Sequence, residues 1–506
     1  MNGFLNLFPP QTCYLLFGFK LPLYLNFFVL ALIFYKPFTW LLSKKYFRWF
    51  LIFLVPTITL VQLFRNDFFF QSDDFAHLKI VAEYSFGEIF LKAMGPSGLW
   101  GFHHIFIGLW LFKLVFIFFG VNVEAYIIVN FLLHLINLGL LFLILSKINK
   151  SSLFNLLGVL LMAGFYQSWI SSIWELTTAF FVSLTVFLWL NWLAKPERRF
   201  YLLSIFFFLL ALFSYEKTAL LPIVLLLISL FYHYSIKKIN FKRLILFLLT
   251  FFFISFVHFL IYGRVYFGFF SLGGGDGYSS KLSLAIFLKN LSSYLSLSVP
   301  IINFSVLRLG LLVFLLACFD FWKKKLVLLP LFLAYLLLLS PALFFEGKIA
   351  SYYGYTPSFF LFMLLAILFT GVHSFLSQRL KKKGVLLKIF NIYFVIFVLL
   401  GIFNSDKFLM DNCFLIHYPW SNPHRVALNS LSQKLDKMLQ EGKIEEGVTI
   451  KLEEKEITHE MEYLFGTNAL YLFLKEPTAR DFTFVFDEAR SALLVEKSPS
   501  YRKISF

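Results

Sequence analysis

The feature that most limits what this chain can fold into is an alternation. Long apolar runs are separated by short basic clusters: Lys44-Lys45/Arg48, Lys147/Lys150, Lys195/Arg198/Arg199, Lys237-Lys238/Lys242/Arg243, Lys323-Lys324-Lys325 and Arg379/Lys381-Lys382-Lys383. The 506 residues are 59% hydrophobic and 14% charged, against roughly 25% charged in soluble domains. No soluble interior of this length hides so much apolar surface, so the bilayer must act as solvent for most of the chain. The 72 Phe read as lipid-facing filler. The net charge of +17 does not point to nucleic acid, because its Lys and Arg sit between apolar runs, where they orient helices in a membrane. Cys13, Cys318 and Cys413 are scattered and form no CxxC pair. The start of the chain lacks a compact signal-peptide pattern, so its first helix is expected to remain.

Placing all six clusters on the cytoplasmic side puts spans near 49–65, 125–145, 153–170, 176–193, 200–214, 218–235, 244–262, 304–321, 326–342, 357–374 and 385–404. A further crossing is expected within 14–42. The expected fold is an α-helical polytopic membrane domain over 1–404, with about 11–13 transmembrane helices. A small extracytoplasmic α/β domain over 405–506 follows. Residues 100–119 are apolar enough to span, but a crossing there would move every later basic cluster outside. They are therefore expected to lie at the outer interface or to enter partway, as is 283–300 with Lys289 in its middle.

This topology gives the acids a side. The first external loop, 66–124, contains "NDFFFQSDDFAHL" and so Asp67, Asp73 and Asp74, followed by Glu83 and Glu88. Glu175 and Glu216 fall near the same surface. On a helix, neighbouring residues point about 100° apart, so one Asp of the pair aims at a given atom while the other is free to cap. Ser72-Asp73 as a plain helix cap is the competing reading. His103-His104 either orient a phosphate or carboxylate, or pack at the interface. His134 lies inside a span with Asn130 and Asn137 at helical spacing, a polar stripe suited to helix–helix hydrogen bonding.

Glu216-Lys217 in "LFSYEKTALLP" either mark an external turn or bind an anionic headgroup. Tyr352 and Tyr353 precede a span and read by default as interfacial belt. Arg264 and Lys348 lie outside, where cations are under-represented, and are candidates for holding phosphate. "GGGDG" at 273–277 lacks the strand-to-helix frame of a nucleotide loop. Paired carboxylates would accept a divalent metal, but no metal is expected.

The ordered series is "DD" after a first span, then "NFLLHLINLGLLFLIL", "WISSIWELTTAFFVSLTVFLWL", "LLALFSYEKTALLPIVLLL" and "YYGYTPSFFLF". Over roughly 45–400 it resembles the GT-C superfamily of integral-membrane glycosyltransferases, nearest to protein O-mannosyltransferases and lipid A aminoarabinose transferases. The resemblance implies an inverting hexosyl or pentosyl transfer from a polyprenyl-phosphate sugar to a hydroxyl or amine of a protein, lipid or glycan acceptor. The transfer would occur at the outer face of a multi-pass protein, in the plasma membrane of a prokaryote. It implies that Asp73 or Asp74 holds or deprotonates the acceptor, with Asp73 favoured, and that Glu216 matches the acid of the family's "KE" element. Here Lys217 follows the acid instead of preceding it. Tyr352 stands where the family's late "RYxYxP"-like element has Arg.

Two other readings compete. A flippase or transporter of lipid-linked saccharides would show internal repeats and midplane charges. An O-antigen polymerase or ligase would centre on basic external loops.

The tail is slightly acidic, with 13 Lys/Arg and 16 Asp/Glu from residue 405. "HRVALNSLSQKLDKMLQ" has helical periodicity, and "GVTIKLE", "ALYLFLK" and "FTFVFDE" alternate as strands. The topology predicts that a cysteine at Ser72 reacts with a membrane-impermeant maleimide added outside intact cells; reaction only after the cytoplasmic face is opened would reverse the assignment.

Overall fold

A computed structural model describes residues 13–16, 19–22, 44–65, 72–93, 106–163, 173–270, 283–298, 306–323, 328–345, 351–379, 423–452, 464–465, 469–487 and 492–497. The helices in chain order are α1 (Lys45–Arg65), α2 (Ser72–Glu83), α3 (Phe86–Ala93), α4 (Phe106–Phe119), α5 (Val123–Ile148), α6 (Ser152–Ala163), α7 (Ile173–Ala194) and α8 (Arg198–Leu212). A 3₁₀ turn at Glu216–Leu220 leads into α9 (Leu221–Ser235). Then come α10 (Phe241–Phe270), α11 (Leu284–Ser298), α12 (Val306–Lys323), α13 (Leu329–Leu343), a second 3₁₀ turn at Ser351–Gly354 and α14 (Tyr355–Arg379). Among the described residues five segments are long and apolar enough to cross a bilayer: α5, α7, the 216–220 turn with α9, the first two-thirds of α10, and α14. With a small C-terminal sheet, this fits a helical multi-pass membrane protein. α4, α6 and α13 are apolar but shorter.

Contacts fix which helix ends lie together. Trp49 meets Phe142 and Phe53 meets Phe131, so α1 runs antiparallel to α5. Lys147 Nζ donates to Asn191 Oδ1 at 2.7 Å, which brings the C-terminal ends of α5 and α7 together. Arg243 lies over Trp192, so α10 begins at this same end. Asn149 donates to Asn155 Oδ1 (2.8 Å) and to Thr370 Oγ1 (2.9 Å), tying the α5–α6 turn to the later half of α14. Each basic cluster that falls on described residues sits at this basic end. The acid-bearing α2, Glu175 and Glu216 sit at the other.

α4 covers the 106–119 part of the segment expected at the interface. Its Phe106 packs on Phe213 at the end of α8, Gly108 touches Trp174 at the start of α7, and Phe112 packs on Tyr126 at the start of α5. These contacts step across three helix ends, so α4 lies over the acidic end of the bundle and not along it. Gly120, at φ +58°, makes the reversal into α5, and Tyr126 donates its hydroxyl to the Gly120 carbonyl. The left-handed backbone there is the reason for glycine. α3 is held by a capping box: the Ser85 N–H donates to Glu88 Oε2 at 2.7 Å, and the Glu88 N–H to Ser85 Oγ at 3.2 Å.

Helix ends inside hydrocarbon need partners for their open backbone groups. α13 receives both from neighbours. Asp320 of α12 accepts from the N–H groups of Leu328 and Leu329, and Asn290 of α11 donates to the carbonyls of Leu343 and Phe345.

Strand β1 (Cys13–Leu16) pairs antiparallel with β2 (Phe19–Pro22); the crossing expected within 14–42 falls mostly on 23–43, which lie outside the described residues. One expectation is corrected. In the tail, "ALYLFLK" is not a strand but a 3₁₀ turn, Leu470–Phe473. Three residues in a row, Ala469, Leu470 and Tyr471, are buried, which a pleated strand with one solvent face does not allow. The backbone N–H groups of Lys475 and Glu476 then bind Asp436 Oδ1 at 2.8 and 3.1 Å, folding the chain back on its helix.

The rest of the tail is α15 (Pro423–Gln440), β3 (Thr449–Lys451), β4 (Phe482–Asp487) and β5 (Ala492–Lys497). They form an antiparallel sheet of order β3-β5-β4. The central strand, β5, was not expected. Its Ala492, Leu493 and Val495 are all buried, so it reads as an apolar run and not as an alternation. The expected span at 385–404 lies outside the described residues.

Helix contact in this bundle depends on small residues. A Cβ on Gly158 of α6 would stand 3.0 Å from the Phe362 carbonyl oxygen and 3.1 Å from Ala366 Cβ of α14. Gly158→Val is expected to force α6 from α14 and destabilise the fold by about 1–3 kcal/mol, read as a lower thermal-aggregation midpoint in detergent.

Candidate functional site

The acidic end contains a buried ion pair. Glu175 stands in the first turn of α7, where negative charge is favoured by the helix N-terminus. Lys217 stands in the 216–220 turn. Lys217 Nζ is hydrogen-bonded to Glu175 Oε1, and the side chains are 2% and 0% exposed. The second carboxylate oxygen, Oε2, accepts the Thr356 hydroxyl at 2.8 Å. Lys217 Nζ also donates to the Tyr353 carbonyl at 3.3 Å and sits 4.9 Å from the centre of the Tyr215 ring. Three segments remote in sequence therefore meet at one carboxylate–ammonium contact: the start of α7, the turn before α9, and the junction of the 351–354 turn with α14.

A second polar group lies beside it. His134 Nδ1 and the Tyr355 hydroxyl share a hydrogen bond of 2.6 Å, and Asn137 Nδ2 donates to the Leu176 carbonyl at 3.0 Å. The stripe on α5 thus bonds to α14 and α7, as its helical spacing indicated. Glu216 is also buried, at 6% exposure. The Glu216-Lys217 pair is accordingly no solvated turn, and the charge of Lys217 is met by a partner within the protein.

α2 packs on α4 and on the start of α7. Its His77 packs against Trp174, the neighbour of Glu175, with ring centres 4.2 Å apart. Lys113 of α4 donates to the Val81 carbonyl of α2 at 2.7 Å. Asp73 and Asp74 stand in the first turn of α2, about one turn before His77; their side chains lie outside the described residues.

The other expected residues divide as follows. Tyr353 is buried against Phe345 and Tyr215. Tyr352 and Arg264 are placed by backbone only, in the 351–354 turn and in α10. His103, His104 and Lys348 lie outside the described residues. Among the described residues no group of three His, Cys, Asp or Glu stands close enough to hold a metal ion.

Sequence reasoning did not single out Glu175, Thr356 or Tyr355 as site residues. A signal existed for the first: "SIWELTTAFF" places an isolated charge in an apolar context, and a buried charge needs a counter-charge.

Desolvating two charges is costly, and the attraction between them offsets this only with good hydrogen bonds. Removing one partner strands the other. Glu175→Gln or Lys217→Met alone is expected to destabilise the protein by about 3–5 kcal/mol. The double variant should recover most of that loss in a detergent melting experiment, and equal loss in single and double variants would show that the pairing is not what holds the segments. Compared with known proteins, the chain matches no family model and no curated protein.

Proposed function

We propose that this chain is a membrane glycosyltransferase that moves a sugar from a polyprenyl-phosphate donor to a hydroxyl or amine acceptor. The observation that carries the reading is a division between two ends. The basic clusters gather at one end of the bundle. The helix beginning Ser72-Asp73-Asp74 lies at the other, with its His77 against Trp174, the neighbour of Glu175. Under the positive-inside rule the basic end is cytoplasmic, so the acidic end faces outward.

In this reading Asp73, with Asp74 beside it, takes the acceptor proton as the acceptor oxygen attacks the anomeric carbon. The bond from that carbon to the phosphate oxygen breaks, and the lipid phosphate leaves with the electron pair. An existing phosphate anion needs cations and hydrogen-bond donors more than a strong acid; Arg264, Lys348 and the His103-His104 pair are the candidates. Lys217, already paired, acts by holding the turn that carries Tyr352 and Tyr353, and Glu216 shares that role. The polyprenyl tail stays in the bilayer, so a nucleotide site is unnecessary.

One observation favours a second reading. A buried Glu–Lys pair and a buried His in span-length helices are groups of the kind that also line substrate and ion pathways of transporters.

Labelled sugar on polyprenyl phosphate, supplied to proteoliposomes with membrane acceptors, separates the two. Wild type is expected to move label onto acceptor. Asp73→Asn is expected to reduce the rate by about 10²–10⁴-fold, and Asp73→Asn/Asp74→Asn to abolish it. Undiminished transfer by the double variant removes the proposed base, and label crossing the bilayer without transfer favours the transporter.

A further inference from the structure

We propose that the C-terminal domain positions the acidic helix α2, with Phe473 as the positioning residue. The functional consequence rests on the glycosyl-transfer reading; the structural claim is separable from it. α2 has 12 residues, too few for a helix to hold its own geometry without packing. Its inner side is fixed by the bundle, through His77 on Trp174 and Lys113 on the Val81 carbonyl.

The tail contacts it as well. Phe75, 1% exposed, meets Phe473 edge-on with ring centres 6.0 Å apart. The Tyr471 hydroxyl donates to Glu83 Oε1 at 3.3 Å. One contact falls in the first turn of α2 and one on its last residue. Phe75 directly follows Asp74, so the tail acts next to the carboxylates themselves.

The tail side of this contact is anchored as well. Tyr471 and Phe473 belong to the 470–473 turn, whose Leu470 is buried at 1% exposure. Two residues further, the Lys475 and Glu476 N–H groups are held by Asp436 of α15. A continuous packed path thus runs from α15 through the turn to Phe75 and the acidic first turn. The tail contributes no residue to the proposed chemistry, yet it sets where the carboxylates stand.

The test uses the full chain in proteoliposomes, with Cys13, Cys318 and Cys413 replaced by serine and a reporter Ala76→Cys on α2. Phe473→Ala is expected to raise the maleimide labelling rate at the reporter. In the same chain without the reporter it should lower kcat for transfer by about ten- to a hundredfold, with donor KM unchanged. Phe473→Leu, which keeps apolar bulk, should restore both. Labelling that does not change in Phe473→Ala, or labelling that rises while kcat stays at the wild-type value, overturns the proposal. If wild type transfers no sugar, the reaction reading fails and the labelling arm alone decides the positioning.

Discussion

The contact between Glu175 and Lys217 is what the acidic end of this molecule is built around. Neither charge has access to water, so each must find its compensation in the other and in Thr356 and the Tyr353 carbonyl. That requirement acts over distance in sequence: it couples the beginning of α7 to a turn some forty residues later and to another well over a hundred residues beyond that. Apolar packing alone would leave these segments free to slide, because lipid tails compete with side chains on equal terms. A directional, doubly hydrogen-bonded ion pair does not slide. α2 lies on Trp174, the residue next to this pair, so the position of the two aspartates inherits the register set below them.

Much of the fold was legible in the sequence because the bilayer imposes few solutions. Span-length apolar runs between lysine clusters became α5, α7, α9, α10 and α14, and the clusters did collect at one end. Charge placement argued that 106–119 does not run along the bundle as a span, and Phe106, Gly108 and Phe112 touch three helix ends at its acidic end. The tail was harder. Its strands have no lipid to enforce a pattern, so "ALYLFLK" looked like a strand although Asp436 turns it back. "SALLVEK" forms the central strand without alternating, since Ala492, Leu493 and Val495 are all buried.

The site was legible only in part. Position along the chain put Glu175 and Glu216 at the right end, and helical spacing tied His134 and Asn137 to neighbouring helices. What the sequence does not contain is partnership. Nothing in "WELTT" or "YEKTA" says that Glu175 and Lys217 answer one another, or that Thr356 completes the set. Those are facts of helix packing, set by close approaches such as Gly158 against Phe362 and Gly108 against Trp174.

The capping of α13 has a consequence for assembly. Asn290 and Asp320 both precede the helix whose ends they serve, so a ribosome makes them first. When Leu329–Leu343 emerges, a carboxylate for its leading amides and an amide for its trailing carbonyls are already waiting on the two preceding helices. A helix of 15 residues thereby takes the partners for both its ends from residues made before it.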